Sequence, residues 1–158
     1  MSKRRVVVTG MGIVSPLGND LASNWDGIVN GRSGIGMVEG FDASTYPTRI
    51  AGEIRDFDIT RWVSPKDAKK MDHFIHYGVA ASVMAMADAG LEVTEANAER
   101  IGALIGSGIG GIWGIEETAI KLHEGGVRKV SPFYVPSTII NMLPGQVSLL
   151  TGIKGPNF

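Results

Sequence analysis

Hydrophobic positions run along this chain in short unbroken stretches and in helical rows, with glycines between them. Val6-Val7-Val8 is β-branched and closes at Thr9-Gly10, a pattern that predicts a strand buried on both faces. After a glycine-rich turn, Asn19 or Asp20 can cap a helix from about Leu21 to Asn30. Leu21, Trp25, Ile28 and Val29 share one face of it, and Gly31 supplies the stop. Ser64-Pro65-Lys66-Asp67 opens a second helical stretch, with serine at the cap and proline in the first turn. The stretch runs to Ala89 with a break near Met71, and Gly90 ends it. From His73 onward it has almost no polar face, as Gly78, Ala80, Ala81, Val83, Met84, Ala85, Met86 and Ala87 show. A helix apolar all round must be covered on every side, so this one is expected between two layers.

Ile101 to Ile105 reads as a second buried strand, leading into Gly106-Ser-Gly-Ile-Gly-Gly111. Ile115 to His123 reads as a helix stopped by Gly125-Gly126, with His123 in the favourable last turn. Pro132 to Pro136 reads as extended and aromatic. A last helix opens at Ser137 or Thr138 and runs through Leu150 to a stop at Gly152. Residues 32–63 hold strand-like pieces, such as Thr48 to Ile54, among turn residues and read as an insertion. No internal repeat, low-complexity tract or linker is visible. The pattern is that of an α/β fold with more than three layers.

Composition sharpens this. Of 158 residues 22 are glycine, about twice the usual share, and they follow no collagen period. Hydrophobic residues at 44%, charged residues at 20% and a mean hydropathy of +0.11 describe a globular chain. A net charge of −1 gives no global field toward nucleic acid or a membrane. Lys3-Arg4-Arg5 before an apolar run superficially resembles a secretory signal. Thr9, Gly10 and Gly12 interrupt that run, however, and Pro16 and Gly18 follow in place of a cleavage site. The uncharged stretch Ile101 to Ile115 is too short and too broken by glycine to span a bilayer. A soluble, cytoplasmic protein is expected. The chain has no cysteine, which excludes disulfides, cysteine-ligated zinc and a thiol nucleophile within it.

The candidate chemistry is sparse. Gly106, Gly108 and Gly111 match G-x-G-x-x-G, the arrangement that seats a pyrophosphate on a helix N-terminus. The usual context, after the first strand and with an acid beyond a second, is missing, so a close-packed or substrate-gating loop is the competing reading. His73 and His76 stand three residues apart, but no acid or third histidine completes a metal site. Lys66, Lys69 and Lys70 share one helical face, where cations near an N-terminus oppose the helix dipole. They are either a solvated charged face or a docking patch for an acidic partner, with Arg128-Lys129 as a second small cluster. Phe133-Tyr134-Val135-Pro136 is core or pocket wall.

Several ordered motifs carry a resemblance. Val6-Val7-Val8-Thr9-Gly10-Met11-Gly12 with Ser15-Pro16-Leu17-Gly18 resembles the opening of β-ketoacyl-[acyl carrier protein] synthases. Gly106 to Gly111, Ser131-Pro-Phe-Tyr-Val-Pro-Ser137 with Asn141-Met142, and Gly155-Pro156 resemble later parts of the same family, closest to its synthase II branch. The resemblance implies the N-terminal part of a thiolase-type αβαβα layered fold, built from two similar halves and working as a homodimer. It makes residues 1–158 a partial N-terminal half, incomplete without the second. The implied activity is elongation in fatty-acid synthesis, a decarboxylating Claisen condensation of an acyl thioester with malonyl-carrier protein. A polyketide ketosynthase segment and a non-catalytic carrier-docking fragment are the alternatives. The resemblance makes Ile109, beside Gly108, a gate of the acyl pocket, and sends Phe133, Tyr134 and Val135 toward the partner's pocket. It assigns Lys66, Lys69, Lys70, Arg128 and Lys129 to the acidic carrier protein. It implies no cofactor and no metal. The family's cysteine belongs just past Phe158 and its two histidines further on, so the chain alone is expected to be inactive, a segment of a longer enzyme.

Overall fold

An apolar helix packed against a second one forms the centre of the chain in the computed structural model, which describes residues 4–158. The helices are α1 (Leu21–Val29), α2 (Pro65–Ala68), α3 (His73–Asp88), α4 (Ile112–Gly125), α5 (Tyr134–Thr138) and α6 (Met142–Thr151). A small ribbon pairs β1 (Gly36–Met37) antiparallel with β2 (Ile50–Ala51), Gly36 opposite Ala51 and Met37 opposite Ile50. A parallel ladder joins residues 101–105 to 155–158. In it Ala103 N–H donates to the Pro156 carbonyl at 2.9 Å, Phe158 N–H to Ala103 at 2.9 Å, and Ile105 N–H to Phe158 at 3.0 Å. No helix of the described residues is long and apolar enough to cross a membrane.

The composition of α3 is explained by what covers it. On one side Ile75 and Val79 pack with Leu143 and Val147 of α6, and with Ile59 and Val63, to form the core. Gly78 lets α6 approach: a Cβ there would stand 2.5 Å from both methyl carbons of Leu143. On the other side lies the glycine-rich loop after Val8. A Cβ on Gly12 would collide with the Ala81 carbonyl and one on Gly10 with that of Ala85. Met11 N–H also donates to Asp88 Oδ2 at 2.8 Å. The expectation of a helix enclosed from two sides holds, as does the break near Met71, where residues 69–72 separate α2 from α3.

Other expectations need correction. Val6-Val7-Val8 forms no strand, and Val6 is 94% and Val8 82% exposed. Among the described residues no chain segment pairs with it, so nothing fixes an extended ladder there. The Ile101–Ile105 strand is buried on one side only: Ala103 is inside, Leu104 is 84% exposed. The α1 cap is Asp20, whose carboxylate accepts from Ser23 N–H at 2.7 Å, whereas Asn19 donates to the Arg55 carbonyl. The apolar face of α1 points outward; Asn24 and Gly27 are the buried residues instead. Asn24 is held there by hydrogen bonds from its side-chain nitrogen to the Gly18 and Asp20 carbonyls, both 2.8 Å, and by one from Ser15 Oγ. Polar satisfaction fixes this helix, not its greasy stripe.

The segment expected to be extended at Pro132–Pro136 turns into α5 at Tyr134. Pro136 sits in the first turn, where its missing N–H costs nothing. The last helix therefore begins later, at Met142 rather than Ser137 or Thr138. The helix expected at 115–123 extends to both sides, over 112–125. Of residues 32–63, the β1–β2 part is a surface ribbon, while Ile59 and Val63 belong to the core. Lys3 of the basic N-terminal cluster lies outside the described residues.

Candidate functional site

The ends of four helices and a 3-10 turn converge on one open cavity of about 290 Å3. Lys69 and Lys70, just past the end of α2, form one wall with Asp72 and His73 at the start of α3. Gly114, Glu117 and Lys121 of α4 face them, and Lys129, Phe133 and Ser137 close the remainder.

Asp72 ties these elements together. It precedes α3, yet its side chain crosses to α4, where Oδ2 accepts from Gly114 N–H at 2.7 Å. A carboxylate at a helix N-terminus satisfies an orphan donor and meets the positive end of the dipole. The adjoining loop packs on α5: Gly111 N–H donates to the Thr138 carbonyl at 2.9 Å, and Gly110 adopts φ +80° against the same carbonyl. This decides the glycine motif. The N-terminus of α4, where a pyrophosphate would sit, is filled by the protein's own Asp72, and the glycines that contact the fold are 110 and 111. A Cβ on Gly106 or Gly108 would meet nothing.

The basic residues divide by what they touch. Lys70 Nζ is 2.6 Å from Asp67 Oδ1 and 5.6 Å from the Phe133 ring centre, so it is committed to the wall. Hydrogen bonds from Lys70 and Ser64 hold the Asp67 carboxyl below its usual range. Lys121 is paired with Glu117 at 2.7 Å. Lys69 and Lys129 make no ion pair among the described residues, and the Lys129 stem lies over Gly125. Lys66 and Arg128 are exposed outside the cavity. Contrary to expectation, the lysines do not oppose a helix dipole together: α2 is a single turn, and Lys69 and Lys70 lie at its C-terminal end, where cations are favoured.

The imidazoles have local duties. His76 Nε2 donates to the Ala68 carbonyl at 2.9 Å, and burial lowers its pKa. His73 lies between the rings of Tyr77 and Trp113, with centres 6.3 and 6.2 Å away. Burial also raises the pKa of Tyr77.

Of the acyl-pocket candidates, Phe133 lines the lysine cavity, Val135 is exposed on α5 and Tyr134 is half-buried. Gly108 and Ile109 sit at the tip of the glycine loop, with Ile109 67% exposed. Loop and α5 are neighbours through Gly111 and Thr138. Sequence reasoning missed Asp72, Glu117 and Lys121. The i,i+4 spacing of Glu117 and Lys121 signalled a helix pair, whereas nothing local signalled Asp72.

Lysines give this cavity a cationic rim, and the chain holds no thiol. Solved structures of similar fold are ketosynthases. The ishigamide ketosynthase/chain length factor matches with a TM-score of 0.82 and 26% identity, over 99% of this chain and 40% of that one. A type II polyketide ketosynthase in complex with its acyl-carrier protein matches with a TM-score of 0.76 and 28% identity, over 96% and 41%. The class is thus a thiolase-like ketosynthase lobe. Residues 3–158 match the family described as beta-ketoacyl synthase, N-terminal domain, and the chain belongs to that family. The 3-oxoacyl-[acyl-carrier-protein] synthase 2 of Vibrio harveyi is 57% identical over 157 residues, 99% of this chain and 38% of that protein. The chain thus spans about 38% of the length of the curated relatives it matches.

Proposed function

We propose that this chain is the carrier-docking N-terminal part of an elongating β-ketoacyl-[acyl carrier protein] synthase of fatty-acid synthesis. The observation that carries the docking reading is the convergence of Lys69 and Lys129, 60 positions apart in sequence by their numbers, on one open cavity with no ion pair of their own among the described residues. An acidic carrier protein supplies the missing countercharge, and a ketosynthase of the same fold is known bound to its acyl-carrier protein. Identity of 57% to a synthase 2, against 28% to the polyketide neighbour, favours the fatty-acid pathway. In the proposed reaction an acyl group passes from carrier to a thiol, and decarboxylation of malonyl-carrier protein generates the carbanion that attacks it. The 158 residues contain no cysteine, so that thiol must come from outside them.

Within this reading Ile109 gates the acyl pocket from its exposed loop, and Phe133, Tyr134 and Val135 reach toward a second protomer of a homodimer in the cytoplasm. Lys66 and Arg128 extend the docking face beyond the cavity. The test is titration with purified acyl carrier protein. The double variant Lys69→Glu with Lys129→Glu is expected to weaken binding more than about tenfold, because two attractive contacts become repulsive. Undiminished affinity would overturn the docking reading.

A further inference from the structure

We propose that Lys121 is a third cation of the docking site, held in reserve by Glu117 and released to a carboxylate of the acidic carrier protein. The inference rests on the carrier-docking reading above. Neither the spacing of residues nor the resemblance points to Lys121. A single lysine on a helix that also carries Glu116, Glu117 and Glu124 reads as an ordinary i,i+4 pair.

In space it is part of the cavity. Lys69 arrives from the end of α2, Lys129 from the 3-10 turn 127–129 and Lys121 from α4, so ammonium groups from three elements face one hollow. Lys121 and Lys129 meet again in the adjoining hollow beside Glu124 and Gly125, so a partner seated on Lys129 lies against Lys121 as well. The carboxylates that could neutralise the group are few and differ in their commitments. Asp72 is turned to Gly114 N–H, and Asp67 is held by Lys70 and Ser64. Glu124 makes no ion pair among the described residues, and Glu117 is the one carboxylate that holds Lys121.

That Glu117–Lys121 pair is easily exchanged. Both side chains are at least half exposed, at 56% and 50%, and an exposed i,i+4 pair is a weak one. An incoming carboxylate that also touches Lys69 and Lys129 replaces one countercharge by another already fixed by two contacts. Glu117 then acts as an internal competitor. It keeps the ammonium ordered and limits repulsion in the empty cavity, and it sets the threshold a partner must exceed.

Two substitutions at exposed positions should move affinity in opposite directions, which a general loss of structure cannot do. Lys121→Gln is expected to weaken binding of acyl carrier protein about three- to tenfold and to flatten its dependence on salt, as loss of one ionic contact requires. Glu117→Gln is expected to tighten binding two- to threefold, roughly the strength of an exposed pair. Unchanged affinity in Lys121→Gln, alongside clear loss in the Lys69→Glu with Lys129→Glu variant, would overturn the role of Lys121 and leave docking intact. Weaker binding in Glu117→Gln would overturn its role as competitor. If no lysine variant changes affinity, the docking reading itself fails.

Discussion

Two polar side chains near the start of α3, Asp72 and His76, tie it to its neighbours through the Gly114 N–H and the Ala68 carbonyl. Asp72 Oδ2 is the acceptor for Gly114 N–H in the first turn of α4, and it stands within 3.0 Å of where a Cβ on Gly111 would be. Asp72→Ala removes a helix-terminal acceptor and is expected to cost about 1 kcal/mol of stability, by analogy with other cap losses. The start of α4 carries much of that loss, so amide exchange at Gly114 should accelerate more than exchange in α6; equal acceleration throughout would refute the local role. His76 makes stability depend on pH. Burial depresses its pKa below the ordinary 6.5, so as pH falls the unfolded chain takes up a proton before the folded one does. The contribution is therefore complete above about 6.5 and is lost as pH falls through the folded value. Asp67, also depressed from its ordinary 3.8, contributes in the same sense but loses its effect only in stronger acid. Urea unfolding at pH 7.5 and 5.5 should show a stability loss that shrinks in His76→Gln, whose amide can still donate to the Ala68 carbonyl. An identical loss in both proteins would show that His76 is not the titrating group.

Between elements, glycine decides which helices and loops can touch. Gly78 sits where α3 meets Leu143 of α6, and the Leu143 side chain is buried in the core. Gly78→Ala is expected to destabilise by about 1–3 kcal/mol through overpacking, whereas Gly106→Ala in open space should change stability little. Thermal unfolding of the two variants checks this, and comparable melting temperatures would sink the packing argument. The same contacts show why α3 was legible in the sequence. A helix with small residues on every side has one physical solution, enclosure, and the glycine loop and α6 provide it. Caps were legible too, since Asp20 and Ser64 act within three residues of themselves. The facing of α1 was not. Periodicity identifies the apolar stripe Trp25, Ile28 and Val29, but burial went to Asn24 because three hydrogen-bonding partners surround it. The start of α5 was hidden by Pro132 and Pro136, which read as extended chain although the first helical turn tolerates Pro136. For the site, the spacing of Lys66, Lys69 and Lys70 favoured a solvated face over docking, and only the resemblance pointed to the carrier protein. Asp72 lies 42 positions from its donor, the Gly114 N–H, a distance no local pattern spans.

At the scale of the molecule, the feature that remains is apolar surface without cover. Val6, Val8, Leu104 and Leu149 are each at least 79% exposed, and Phe158 lies at the end of the ladder that carries Leu104. Exposed single leucines are ordinary, but Leu104 and Phe158 on one ladder form an apolar surface that water disfavours. In the ladder the peptide groups of residues 101–105 pair with 155–158 on one edge, and the Leu104 side chain leaves from the face opposite the buried Ala103. This half-covered sheet and the α3 core differ in the energetics of change. Core positions lose packing when altered, while a polar group at Leu104 displaces no neighbour and removes an unfavourable contact with solvent. The 158-residue protein should therefore bind the dye anilinonaphthalene sulfonate in its folded state and self-associate as concentration rises. Leu104→Lys should reduce both signals while the far-ultraviolet circular dichroism stays unchanged, because the helices do not depend on that side chain. Dye binding that is absent in the parent protein would contradict the exposed sheet face. Loss of helical signal in Leu104→Lys would place this side chain inside the fold, and the division between a finished helical core and an open sheet would then be wrong.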